Sequence, residues 1–245
     1  MDKTTIIIPS RLNALRLPNK PLALINNKEM ILHVYEAAKK TNTGDVYVAT
    51  PDQKIIDVVT NYGGKAILTS FNHQTGTDRV YEVFKNQLKT EPSIIVNLQG
   101  DMPNIDPKVI TNLVSYMKKG ECDIGTLASA FNSEAELKDE NIVKVVVKEK
   151  LEYDSFGEAT DFFRNSSYKH ENIYHHAGIY AFTNKALVRY VSLERSKLEL
   201  ERKLEQLRAL ENDMSIHVGH INSSPLSVDN KNDLNKVKKI MEKNE

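Results

Sequence analysis

The sequence predicts an α/β fold built on a mostly parallel, doubly wound sheet. In the first half of the 245-residue chain, short apolar runs alternate with stretches whose apolar residues recur at helical spacing. A strand, a helix of this length and a further strand form the βαβ pattern of a parallel sheet. The composition, with 40% hydrophobic and 27% charged residues, is that of a globular protein large enough to bury a core.

The predicted elements of the first half follow one another regularly. Residues 6–8, three isoleucines, form a buried strand that ends at Pro9. Residues 30–40 form a helix, because their apolar positions are spaced three and four apart. The later elements are a strand at 45–50, a helix at 55–62, a strand at 65–69, a helix at 77–88, a strand at 93–98 and a helix at 107–119 that begins with proline.

After Gly120 the pattern changes. The predicted elements there are strands at 142–148, 179–182 and 213–221, an irregular polar stretch at 153–173, a long charged helix at about 191–211 and a closing helix at 232–242. The long helix carries a stripe formed by Leu193, Leu200, Leu204 and Leu207, which fits packing on the parent sheet or on a second subunit. We interpret residues 1–245 as a single domain with an extension at about 140–212.

Charge and cysteine content exclude several classes of function. Lys plus Arg and Asp plus Glu both number 33, so the formal net charge is zero, which disfavours a nucleic-acid or anionic-membrane partner. The single cysteine, Cys122, excludes an internal disulfide and a cysteine-cluster metal site. The apolar runs are shorter than the roughly 18 residues of a membrane span, and the first residues are too polar for a signal peptide. We therefore expect a cytoplasmic protein.

A basic loop follows the first predicted strand. Arg11, Arg16 and Lys20 fall within ten residues, with no carboxylate among them. In a doubly wound sheet, the loop after a strand's carboxyl end lies in the ligand crevice. Three cations there suit a triphosphate, although a solvated basic loop has the same composition.

Two aspartates are candidate metal ligands. Asp101 follows the strand at 93–98 in a Gln-Gly-Asp turn, and Asp229 precedes the last helix. Mg²⁺ is held by one or two carboxylates while phosphates and water fill its other positions. Each aspartate also suits a turn or a helix cap, and the metal hypothesis requires that the two meet in space.

Several motifs, taken in order along essentially the whole chain, resemble the 3-deoxy-manno-octulosonate (Kdo) cytidylyltransferases, also called CMP-Kdo synthetases. They comprise residues 16–22 (RLPNKPL), 73–79 (HQTGTDR), 97–101 (NLQGD), 141–145 (NIVKV), 176–180 (HAGIY), 205–208 (EQLR) and 228–229 (VD). The resemblance implies a Rossmann-like nucleotidyltransferase sheet and a homodimer. It also implies transfer of CMP from CTP to the Kdo 2-hydroxyl, with release of pyrophosphate, for lipopolysaccharide synthesis.

The resemblance also implies roles for individual residues. Arg11, Lys20 and, as a third cation, Arg16 would bind the CTP phosphates, and Asp101 and Asp229 would hold Mg²⁺. The base and ribose contacts would come from Gly76, Thr77, Arg79 and Gln99, with Asp78 in the same turn. The sugar contacts would come from Arg164, His176, Tyr180, Glu205 and Gln206. Taken alone, His176 also fits a structural histidine, and 205–206 fit one turn of a solvated helix.

Some positions depart from the family pattern. Asn19 and Met102 stand where the family commonly has Gly and Glu, and the sequence around 162–164 departs most from the family pattern. The choice of sugar is therefore less constrained than the choice of nucleotide. The alternatives are a cytidylyltransferase for a related acid sugar, such as 8-amino-Kdo or a nonulosonate, and a non-catalytic nucleotide-sugar-binding dimer.

Overall fold

The computed structural model describes residues 3–13, 16–88, 91–164 and 171–243. The strands are β1 (Thr4–Pro9), β2 (Leu24–Ile25), β3 (Lys28–Glu29), β4 (Gly44–Thr50), β5 (Ala66–Leu68), β6 (Ile94–Leu98), β7 (Ile124–Ser129), β8 (Lys144–Val147), β9 (Phe156–Phe163), β10 (Ile173–Thr183) and β11 (Ile216–His220). The helices are α1 (Met30–Lys40), α2 (Gln53–Asn61), α3 (Gly76–Asn86), α4 (Pro107–Met117), α5 (Glu134–Lys138), α6 (Asn184–Ser192), α7 (Lys197–Arg202), α8 (Leu207–Leu210) and α9 (Lys231–Glu242). The chain forms two compact units, one of Met1–Val114 with Pro225–Glu245 and one of Ser115–Ser224.

The first unit is built on a parallel sheet with the strand order β5-β4-β1-β6. The central strand β1 is buried along its whole length, as expected of a β-branched run covered on both faces of a parallel sheet. Each element predicted before residue 120 is present, with ends within two residues of the prediction, and the closing helix is α9. The α/β class and the parallel arrangement are thus confirmed for this unit.

The second unit has a different strand arrangement. Its strand order is β10-β7-β11-β9-β8, and β8 also pairs with β10. Among the strand pairs of its described residues, β7 with β11 is the parallel one, whereas β10 with β7, β10 with β8, β8 with β9 and β11 with β9 are antiparallel. The expectation of a mostly parallel sheet is therefore wrong for this unit. The segment between β8 and β9 contains no helix, and such a short connection joins antiparallel strands.

Two strands of this unit were not predicted. β9 lies within the stretch expected to be irregular, of which residues 165–170 fall outside the described residues. Its period-two pattern is present, since Ala159 is buried between the exposed Glu158 and Thr160, but surrounding polar residues obscure it. β7 is buried throughout and contains glycine, serine and threonine beside its few large apolar residues.

The long helix expected at 191–211 is not one helix. α7 begins after Ser196, whose backbone N–H donates to Glu199 Oε2 at 3.2 Å. It ends at Lys203, whose φ of 55° places it in the left-handed region. The leucine stripe is consequently divided, because Leu204 and Leu207 are buried whereas Leu200 is 53% exposed. In the described part of the chain, no helix has the length and apolar character needed to cross a membrane.

Candidate functional site

A cavity of about 590 Å³ lies in the first unit, where the loops after β1 and β6 meet the start of α3 and the segment before α9. This is the carboxyl edge of the parallel strands, where open α/β sheets bind ligands. Its lining includes most of the residues predicted to bind nucleotide or metal: Arg11, Arg16, Lys20, Gly76, Arg79, Gln99, Asp101 and Asp229. The remaining predicted residue, Thr77, is buried, and its Oγ1 accepts a hydrogen bond from Asn97 Nδ2 at 3.1 Å.

The two predicted metal ligands share one cation. Lys20 Nζ lies 2.8 Å from Asp101 Oδ2 and 3.5 Å from Asp229 Oδ1. Arg16 Nη2 is 3.1 Å from Asp229 Oδ2. The two carboxylates therefore converge on a single position that accommodates a positive charge, and oxygen donors of this kind suit Mg²⁺.

Neither aspartate acts as a helix cap. The N-cap of α9 is Asn230, whose side chain accepts from the backbone N–H groups of Asn232 and Asp233. Asp106 serves the start of α4, since its Oδ1 accepts from Lys108 N at 2.9 Å. The carboxylates of Asp101 and Asp229 instead face the cations of the cavity.

Backbone contacts and a small core hold the two carboxylates in place. Val228 N donates to the Asp101 carbonyl at 2.9 Å, so the segment before α9 is tied to the turn after β6. Val228 itself is fully buried in a cluster with Ile25, Met30, Leu234 and Val237. The position of Asp229 is thus set by apolar burial next to it.

The basic loop after β1 is fixed by residues on either side of its cations. Asp52 Oδ2 accepts from Leu12 N at 2.8 Å, which anchors the loop to the residue that precedes α2. Asn19 has φ 57° and ψ 25°, in the left-handed region. Glycine is favoured there and asparagine is tolerated, so Asn19 retains the conformation that the family's glycine allows.

The opposite wall of the cavity is formed by residues 73–76, which lead into the N-terminus of α3. Thr75 and Asp78 form a capping box, so the Asp78 carboxylate serves the helix cap. A Cβ on Gly76 would lie 3.3 Å from Pro9 Cγ, so the wall approaches the end of β1 closely. Gln99 Nε2 donates to Asn97 Oδ1 at 3.0 Å, which orients the Gln99 amide.

Arg79 is buried and donates to neighbouring groups. Its Nη1 donates to the Ser70 carbonyl at 3.0 Å and to Thr69 Oγ1. Burial, followed by the charge of Arg11, lowers the pKa of Arg79 below its usual range. Asp52, His73 and the partners of Arg79 were not among the predicted site residues. Of these, only His73 lay inside a motif used for the resemblance.

In the second unit, His176 and Tyr180 come together on β10. Their ring centroids are 5.5 Å apart, and the pairing of β10 with β7 shifts register between Ala177 and Tyr180. Thr126 Oγ1 donates to the Ile179 carbonyl at 2.7 Å, so it accepts from His176 Nε2, 2.8 Å away. Burial lowers the pKa of His176 to about 3, and the imidazole is therefore neutral at pH 7.

Glu205 and Arg164, which were also predicted to contact the sugar, influence the pKa of Tyr180 through their charges. Burial and then the charge of Glu205 raise the pKa of Tyr180 well above its ordinary value, and Arg164 opposes that rise. The Arg164 side chain donates to the Asn141 carbonyl at 2.6 Å. Its own carbonyl accepts from the buried Lys144 Nζ at 2.8 Å. Gln206 is buried just before α8, so the pair 205–206 is not part of a solvated helix.

Known proteins of similar sequence identify the family of this chain. The cytidylyltransferase family model matches residues 5–216. The chain is 39% identical to the 3-deoxy-manno-octulosonate cytidylyltransferase of Bartonella bacilliformis, over 98% of both chains. It is 42% identical to the enzyme of the same name from Bartonella henselae, over 96% of this chain and 97% of the relative. The chain belongs to the 3-deoxy-manno-octulosonate cytidylyltransferase family.

A solved structure supports this membership. A CMP:2-keto-3-deoxy-manno-octonic acid synthetase complexed with CTP superposes with a TM-score of 0.90 and 36% identity, covering 99% of this chain and 100% of the other. More distant cytidylyltransferases, such as one from Leptospira borgpetersenii at 18% identity and a TM-score of 0.65, share the fold alone. As a family member, the chain is a nucleotidyltransferase with the mixed α/β fold of that enzyme group.

The conformation of Asn19 gives a first prediction. Asn19→Ala should lower the free energy of unfolding by about 1 kcal/mol, because the left-handed region disfavours a Cβ without a polar group. Asn19→Gly, the matched control, should be as stable as the parent chain within a few tenths of a kcal/mol. Urea unfolding of the three proteins measures the difference. Equal stability of the alanine variant would show that the loop relaxes freely.

The neutral His176 gives a second prediction. Below about pH 6.5 the imidazole of His176 is protonated in the unfolded chain but stays neutral in the folded protein. The free energy of unfolding therefore falls as the pH drops from about 6.5 towards 3. The slope approaches 1.4 kcal/mol per pH unit. His176→Gln removes it, so the parent chain should lose about 1 kcal/mol more than the variant between pH 6 and pH 5. Parallel stability curves in urea at several pH values would contradict the assignment.

Proposed function

We propose that this chain transfers CMP from CTP to the 2-hydroxyl of Kdo. The hydroxyl oxygen forms a bond to the α-phosphorus while the bond from that phosphorus to the bridging oxygen of the β-phosphate breaks. Pyrophosphate leaves with the bond electrons, and the hydroxyl proton passes to solvent or a nearby base. The product is CMP-Kdo, a precursor for lipopolysaccharide. The observation that carries the proposal is the meeting of Lys20 and Arg16 with Asp101 and Asp229 in the cavity of a family member.

The cavity supplies the groups that CTP requires. Arg11, Arg16 and Lys20 line one side and would neutralise the triphosphate before a hydroxyl approaches it. On the other side, the Gln99 amide and the wall at 73–76 offer hydrogen-bonding groups for cytosine and ribose. Charge neutralisation and positioning are the main contributions a protein makes to phosphoryl transfer.

Asp101 and Asp229 would hold Mg²⁺. Mg²⁺ is typically bound by one or two carboxylates together with substrate phosphates, so the two carboxylates would share the ion with the nucleotide. A bound Mg²⁺ would supply positive charge to the phosphate oxygens as negative charge develops on them. Lys20 and Arg16, which pair with these carboxylates, are the side chains that would exchange partners with the phosphates.

The acid sugar would bind to the second unit. Arg164 offers a cation for its carboxylate, while the neutral imidazole of His176 and the protonated phenol of Tyr180 offer hydrogen bonds to hydroxyls. Glu205 and Gln206 would complete this set. The proposal also includes a homodimer, which light scattering on the purified chain tests, and a cytoplasmic location.

The direct test is pyrophosphate release with CTP and Mg²⁺ in the presence of Kdo, 8-amino-Kdo or a sialic acid. Release with Kdo alone is the expected result. Release with only another acid sugar would keep the chemistry and change the substrate. CTP binding without release for any sugar would favour a non-catalytic nucleotide-sugar-binding protein.

The metal assignment gives a third prediction. Asp101→Asn and Asp229→Asn should each reduce turnover by about 100-fold or more, because each weakens a carboxylate ligand of the Mg²⁺ that would neutralise the negative charge developing on the phosphates. Both variants should remain folded, since the substitution keeps the side-chain volume. Asp45→Asn is the control, because Asp45 pairs with Lys65 at an exposed position. Near-normal turnover of either cavity variant at ordinary Mg²⁺ concentrations would refute the assignment.

A further inference from the structure

Two residues on one face of α3, Arg79 and Glu82, form hydrogen bonds with the segment around Ser70 that precedes the cavity wall. Arg79 and Glu82 are three positions apart, which places them on neighbouring turns. Arg79 Nη1 donates to the Ser70 carbonyl at 3.0 Å. Glu82 Oε2 accepts from Ser70 N at 2.9 Å and from His73 Nε2. Both backbone polar groups of Ser70 are therefore held by α3.

The hydrogen-bonded segment around Ser70 continues directly into the cavity wall at residues 73–76. Residues 73–76 line the cavity, and the capping box of Thr75 and Asp78 fixes their far end. Between these two anchors, the path of the wall is set by how firmly Ser70 and His73 are held. Among the described residues that line the cavity Glu82 is absent, so it acts on the cavity through its contacts with Ser70 and His73 and through its charge near Arg79.

The Glu82 contacts are charge-assisted. Burial alone would raise the pKa of Glu82, but the hydrogen bonds from His73 and from Ser70 N outweigh it, and the net pKa lies below the ordinary value. The side chain is therefore ionised at neutral pH. Hydrogen bonds to an ionised acceptor are roughly twice as strong as those between neutral groups.

We infer that Glu82 is a positioning residue for nucleotide recognition, which acts through Ser70 and His73 to hold the wall at 73–76 in the shape that accepts the cytidine part of CTP. This inference rests on the proposed function. A wall that is already ordered loses little conformational entropy when the nucleotide binds, whereas a released wall must be ordered by the nucleotide. The loss should therefore appear in CTP affinity and in base discrimination, and not in the chemical step.

The test compares Glu82→Gln and Glu82→Ala with the parent chain. We expect the Kd for CTP, measured by calorimetry without sugar, to rise about 3-fold in the glutamine variant and about 10-fold in the alanine variant. The KM for CTP should rise in parallel, while kcat and the KM for the sugar stay within about twofold. The preference for CTP over UTP should narrow, because the polar groups that read the base are less firmly placed.

Glu36→Gln is the matched control. Glu36 lies on α1, pairs with Lys28 at 2.7 Å and has a side chain 26% exposed, against 23% for Glu82. The substitution should remove a comparable hydrogen-bonded carboxylate without a change in the Kd for CTP. A double-mutant cycle with His73→Ala should show non-additive effects on the Kd, because Glu82 acts partly through His73.

Several outcomes would overturn the inference. One is an unchanged Kd for CTP in Glu82→Gln when its free energy of unfolding falls, which would indicate a purely structural residue. Another is a selective loss of kcat. If Glu82→Ala fails to fold, the glutamine variant decides the question alone. Because the Kd is measured without sugar, a parent chain that binds CTP but gives no product would contradict the proposed function and leave this test intact.

Discussion

The ammonium of Lys20 is the contact on which the candidate site depends. It lies 2.8 Å from Asp101 and 3.5 Å from Asp229, and these carboxylates come from segments far apart in the sequence. Two carboxylates brought together without a cation would repel each other, and the repulsion would oppose the docking of the segment before α9. The same pairing leaves Lys20 close to where phosphates are proposed to bind. A structural ion pair and a proposed nucleotide site thus use one set of charges.

The cavity owes its shape largely to side chains that hold backbone. Asp52 accepts from Leu12 N in the basic loop, Asn97 orients both Thr77 and Gln99, and Asn230 with Asp233 fixes the start of α9 next to Asp229. Each contact satisfies a polar group that would otherwise lack a hydrogen-bond partner within the protein. These contacts restrict the backbone around the cavity before any ligand binds. A ligand therefore spends little of its binding free energy on ordering the loops.

The sequence predicted the first unit well because periodicity and strand-end position are local properties. It also predicted which loops line the cavity, since the carboxyl ends of parallel strands meet at one edge. The long helix failed because Lys203, with φ 55°, ends α7 without the glycine or proline that normally marks a break. Asp229 and Asn230 are both acceptable caps by residue type, and in the structure Asn230 is the cap of α9 while the neighbouring Val228 packs in the core. Convergence of the carboxylates is a tertiary property, so no local pattern encodes it.

In the two units, the groups predicted to bind nucleotide and those predicted to bind the sugar differ in how they hold charge. In the first, Arg16 and Lys20 keep their charges in partly exposed ion pairs, where solvent moderates each interaction and partners exchange at small cost. In the second, burial keeps His176 and Tyr180 uncharged across neutral pH. The fully buried Lys144 there directs its ammonium to the carbonyls of Asp139 and Arg164. Exchangeable charges suit a polyphosphate that must be bound and released, whereas fixed neutral donors and acceptors suit hydroxyl groups whose pattern has to be read.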